Sequence, residues 1–132
     1  MEAPHPEQIL ELMAQRIEEV GLYHGTDPHH DRGVAVPPTV IGAWDWARSK
    51  TRPDWRTREN RSLWDDFHAA CFEALHRLAV HCARGELVAP GWRQAGQKAW
   101  EPHVVAIWGE FQTAESAVST IRVAALDIRL SS

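Results

Sequence analysis

Three groups of residues have the types and spacing to do chemistry. Glu73 and His76 form a Glu-x-x-His pair, the interval that presents two ligands on one helix face in di-iron bundles. Asp65 and His68 repeat the interval upstream. A carboxylate-bridged centre also needs a second such motif and further glutamates from facing helices, and the chain offers no second set. A solvated helix face with local hydrogen bonds is therefore favoured over a metal, and no cofactor is expected. The second group is the loop "HGTDPHHDRG", which gathers His24, His29, His30 and Asp31. Histidines so placed can take zinc or titrate near neutral pH. With no cysteine pair and no helical His-x-x-x-His, the spacing offers zinc little support.

The third group is "GAWDWARSKTRPDWRTRENRSLWDD", Gly42 to Asp66, with four tryptophans and six arginine or lysine residues in twenty-five positions. Arg48, Lys50, Arg52, Arg56, Arg58 and Arg61 give the 48–61 segment a local charge of +4. Arginines with tryptophan are the chemistry of phosphate contact and base stacking. Across the whole stretch, however, five carboxylates reduce the net to +1, and the chain carries −4. Local pairing into a solvated rim is the favoured assignment, with nucleic acid the alternative. A helix-turn-helix is disfavoured, because its first helix would have to occupy "YHGTDPHHDR" against its proline and glycine. No nucleophile elbow, phosphate-binding glycine loop or recognisable Ser, His and Asp arrangement appears. Enzymatic activity is not favoured.

The elements that must position these residues follow from apolar periodicity. Ile9, Leu10, Met13, Ile17 and Val20 line one face of a helix over residues 7–20, with Pro6 in its first turn and Gly21 as its stop. Residues 21–38 hold three glycines and three prolines and read as one long loop. Val40, Ala43, Trp44 and Ala47 turn inward on a short helix over Thr39 to Ser49. That assigns Trp44 to the core and leaves Trp46 and Trp55 as the tryptophans available to a partner. Ser62 and Asp65 match a capping pattern at the head of the longest helix. Its stripe is Leu63, Phe67, Cys71, Ala74, Leu78 and Cys82, broadened by Phe72, Leu75 and Ala79, and Arg84 with Gly85 close it. "GELVAPGWRQAGQ" is a connector. Pro102 then opens a last helix in which Val104, Trp108, Phe111, Ala114, Val118, Ile121, Ala125 and Ile128 recur at spacings of three and four. That period is close to a coiled coil's, with Trp108 and Phe111 as candidate anchors of a dimer contact.

The expected fold is all-α, a single domain over 1–132 built as a compact bundle of three main helices plus short ones. Cys71 and Cys82 on one helix stand about 16 Å apart, beyond disulfide reach, so both thiols are expected free. No apolar run spans a bilayer and no secretory leader is recognisable, which together suggest a cytoplasmic protein.

Three pieces, "ILELMAQRIEEVGLYHG", "VIGAWDWA" and "SLWDD" with the apolar helix after it, resemble a family of small actinobacterial and actinophage proteins catalogued only as a domain of unknown function. Gly21 with Leu22, Gly42 with Ala43, and Trp64 with Asp65 and Asp66 take the family's motif positions. Thr39 stands where the family often has cysteine, and Asp65 where it has asparagine. The resemblance covers residues 9–79. It implies a compact helical fold and an actinobacterial or phage origin, and it carries no activity. The expected function is a non-enzymatic helical module that contacts a protein partner or a second copy of itself.

Overall fold

A computed structural model describes residues 3–25, 36–54, 61–83 and 100–131. Five helices account for the regular structure there: α1 (Pro6–Val20), α2 (Val40–Thr51), α3 (Arg61–Ala83), α4 (Trp100–Glu110) and α5 (Ala114–Ser131). No strand occurs among the described residues, and the fold is all-α. The connector "GELVAPGWRQAGQ" and positions 26–35 of the long loop lie outside them.

Local chemistry sets the helix ends. The His5 amide donates to Gln8 Oε1 at 2.8 Å, satisfying a backbone group at the head of α1. Gly21 ends α1 with φ +87°, a left-handed conformation that glycine adopts without steric cost, and its amide returns to Ile17 O at 2.8 Å. The Tyr23 amide reaches Pro38 O at 2.8 Å, which ties the two ends of the long loop together. Thr39 caps α2 by accepting from the Gly42 amide at 2.9 Å. α3 begins at Arg61, so Ser62 lies inside its first turn instead of capping it.

The core draws on every helix. Ile9, Leu10, Met13 and Ile17 of α1, Val40, Ala43, Trp44 and Ala47 of α2, and Phe67, Cys71, Leu75, Leu78 and Cys82 of α3 are all buried. α3 meets all four other helices and is the central element, while the most extensive single pairing is α1 against α5. Phe72 departs from its expected place on the inner stripe, for it lies half in solvent at the edge of the Trp44 ring.

The last helix is two helices. The Phe111 amide bonds to Trp108 O and the Gln112 amide to Gly109 O, three-residue spacings that tighten and end α4. Thr113 and Ser116 then cap α5 reciprocally. The Ser116 amide donates to Thr113 Oγ1 at 3.0 Å, and the Thr113 amide donates to Ser116 Oγ at 2.9 Å. The break has a packing reason. α4 lies against α3 and α2, whereas α5 lies against α1 and α3. A straight helix of that length could not follow both surfaces. The coiled-coil period across 104–128 is thus the sum of two separate core faces.

Candidate functional site

The α2 rim carries the tryptophans and cations that the sequence nominates. Trp44 is structural: its Nε1 donates to Cys71 O at 3.0 Å, and the ring is 6% exposed. The Arg48 guanidinium lies 4.4 Å from the centroid of that ring and 3.5 Å from Asp45. Arg48 is therefore held in place by its own helix. Trp46, two residues on, faces the other way and is half-buried. Arg16 of α1 stands 5.0 Å from its centroid and Lys50 stands 5.6 Å away, distances at which a cation is attracted to the ring. Arg16 was not legible as a member of this group, because it arrives from another helix. Arg52 follows the end of α2, and Arg61 opens α3 in solvent. Trp55, Arg56 and Arg58 lie outside the described residues. Trp64 packs edge-on against Phe67, with centroids 5.8 Å apart, and is part of the body of the fold.

The Glu-x-x-His residues do not converge on a common point. Glu73 pairs with Arg77 of its own helix at 3.0 Å, while His76 turns to Glu101 of α4 at 3.2 Å. No group of three His, Cys, Asp or Glu able to hold a metal exists among the described residues. His29 and His30 lie outside them, and the His24 ring contacts the Gln112 carbonyl. A second histidine bridge, His81 to Asp127 at 3.0 Å, ties α3 to α5.

Both cysteines are free and buried. Burial pushes the Cys71 thiol up to about 11, against an opposing pull from the charge and hydrogen bond of Arg48. Burial raises Cys82 further still. Neither is a ready nucleophile, because the thiolate is the reactive form. The cavity beside α2 and α4, about 210 Å³, is lined by Tyr23, Thr39, Val40, Ala106 and Glu110. Thr39 spends its hydroxyl on the helix cap.

Trp108 and Phe111 part company at the helix break. Trp108 is 5% exposed and belongs to the core, so it cannot anchor a contact with another molecule. Phe111 is 68% exposed. A run of exposed apolar residues lies elsewhere, on the outer side of α5. Val123, Leu126 and Leu130 are 50%, 51% and 77% exposed. With Glu115, Ser119 and Arg122 they recur at three- and four-residue spacings, which places them on one stripe. The inner stripe of Ala117, Val118, Ile121, Ala124, Ala125 and Ile128 is buried on the opposite side. A shallow groove of about 450 Å³ runs along the outer face between Glu115 and Leu126. The arginines at its margins are paired within the chain. Arg122 pairs with Glu18 and, at 3.7 Å, with Glu11, and Arg129 also meets Glu11 at 3.7 Å.

Compared with family models, with curated proteins and with solved structures, the chain matches none. No described helix is long and apolar enough to cross a membrane.

Proposed function

We propose that this chain is a non-enzymatic helical interaction module that acts in the cytoplasm, with the outer face of α5 as its protein-binding surface. One observation carries it: Val123, Leu126 and Leu130 form a second apolar stripe on a helix whose first stripe already fills the core. A helix in a globular protein needs only one such stripe. A contiguous exposed one marks a surface that another protein covers, and its spacing is that of a helix laid into a groove. The resemblance to small actinobacterial and phage proteins belongs to the same proposal.

A photoreactive amino acid placed at position 126, with position 65 on α3 as control, tests it in cells. Expected are discrete crosslinked protein adducts at 126 that disappear with Leu130→Glu. Equal adducts from both positions, or none from either, would overturn the proposal.

A second function is favoured by a specific observation. No ion pair joins Arg16 or Lys50 to a carboxylate among the described residues, and both cations stand at Trp46. Nucleic acid would use such a group through phosphate contacts, with an affinity that falls steeply as salt rises. The acidic balance of the chain opposes it. Fluorescence anisotropy with duplex and single-stranded probes at two salt concentrations is expected to show weak binding at most. Submicromolar binding at the higher salt, lost in the Arg16→Glu, Lys50→Glu double variant, would put this function first.

A further inference from the structure

The outer stripe of α5 is ordered from end to end in charge and in size. Glu115 lies in the first turn and Arg129 in the last, and between them run Ser119, Arg122, Val123 and Leu126. A helix of like pattern laid antiparallel brings the acidic end of each over the basic end of the other. With the twofold axis between Arg122 and Val123, Ser119 faces Leu126 of the second helix, a small side chain opposite a large one. Val123 meets the aliphatic stem of Arg122, and Glu115 lies beside Arg129 and Leu130. Reversing the direction also opposes the two helix dipoles favourably. The pattern complements itself, as a twofold contact requires.

The margins support the same occupant. Both copies carry a charge of −4, and they must meet where the local charge is lowest. Along the stripe, Arg122 and Arg129 are already matched by Glu11 and Glu18 of α1. Arg129 keeps a side chain 54% exposed, and a guanidinium has donors enough for a second carboxylate.

We propose that a second copy of this chain docks on the outer face of α5, the two helices antiparallel about a twofold axis between Arg122 and Val123. This rests on the assignment of that face as the binding surface. It also accounts for the exposed leucines without a partner of another kind.

Sedimentation of the full chain over a wide concentration range, with native folding checked by circular dichroism, reads the contact directly. The wild type is expected to dimerise with rising concentration, and Leu126→Glu to remain monomeric and folded. Glu115→Arg alone and Arg129→Glu alone each weaken the dimer several-fold, and the two together restore it. Cysteine placement supplies a readout independent of affinity. In Val123→Cys the two new thiols stand about 1.5 Å apart along the helix axis and join under mild oxidation, whereas in Ser119→Cys they stand about 10.5 Å apart and do not. A strictly monomeric wild type, a dimer indifferent to Leu126→Glu or to the charge reversals, or equal crosslinking at 119 and 123 would overturn the proposal. A monomer that still gives a foreign protein adduct at position 126 in cells overturns only the self-pairing. No adduct of any kind there removes the binding surface itself.

Discussion

Gly109→Ala offers the sharpest check on how α4 meets α2. A Cβ built at Gly109 would lie 2.9 Å from Val40 Cγ2 and 3.3 Å from Val40 Cβ, where carbon atoms normally keep about 3.5–4.0 Å. Val40 is a poor candidate for yielding. It is buried, it opens α2 directly after the Thr39 cap, and its branched side chain is stiff at χ1. Overpacking of this kind costs about 1–3 kcal/mol. Alanine in place of glycine within a helix returns at most about 1 kcal/mol of propensity. The expected net is a loss of about 1 kcal/mol, which for a chain of this size lowers the melting temperature by roughly 4 °C. Urea denaturation of the wild type, Gly109→Ala, Val40→Ala and the double variant measures the coupling. In the Val40→Ala background the Cγ2 methyl at 2.9 Å is gone and only the Cβ contact at 3.3 Å remains, so Gly109→Ala is expected to be close to neutral. A Gly109→Ala protein as stable as the wild type, with Val40 intact, would refute the close approach of the two helices.

Thr113→Ala removes the acceptor for the Ser116 amide and is expected to cost about 1 kcal/mol in urea melts. A value near zero would show that the α4–α5 break does not depend on this cap. Trp44→Phe keeps most of the apolar surface but removes the indole donor to the Cys71 carbonyl, which within α3 keeps its helical N–H, a loss of about 0.5–1.5 kcal/mol. An unchanged denaturation midpoint would sink that hydrogen bond. Ellman's reagent is expected to find no reactive thiol in the native protein and two after unfolding, and rapid modification of the folded chain would contradict the burial of Cys71 and Cys82. Alkali provides the last check. Cys71 is raised from an ordinary value near 9 to about 11, so the native state holds a proton that the unfolded chain releases across that window. Stability is then complete below pH 9 and falls as pH rises toward 11, by up to about 1.4 kcal/mol per pH unit for one such group. Cys82, raised further by burial, contributes over the same window, so Cys71→Ala should lessen the fall without removing it, and an identical pH profile in the variant would argue against the Cys71 contribution.

Much of the fold is local, and so it was written in the residues. α1, α2 and α3 show apolar residues at three- and four-residue spacings, with Pro6 and Gly21 bounding α1 and Thr39 capping α2. Each of those signals acts over one or two turns of backbone. Trp44 could be assigned inward from its helical face alone, and the single-helix placement of Cys71 and Cys82 settled that both thiols stay free. The Thr113 and Ser116 cap was also present, but the uninterrupted three-and-four spacing from Val104 to Ile128 hid it. Periodicity records which side of a helix is apolar and is silent about which neighbour that side meets.

Tertiary structure decided the rest. α4 follows α3 and α2 while α5 follows α1 and α3, so the chain must bend between them, and that bend buries Trp108 while exposing Phe111. The neighbours of Trp46 are set the same way, since Arg16 is thirty positions distant in sequence and comes close only when α1 packs on α2. The outer stripe of α5 could be recognised only once its inner stripe was covered. Val123, Leu126 and Leu130 share the composition of core residues, and nothing local marks them as surface. Which apolar face a helix leaves in solvent depends on the helices around it, and those contacts are made by residues far apart in the chain.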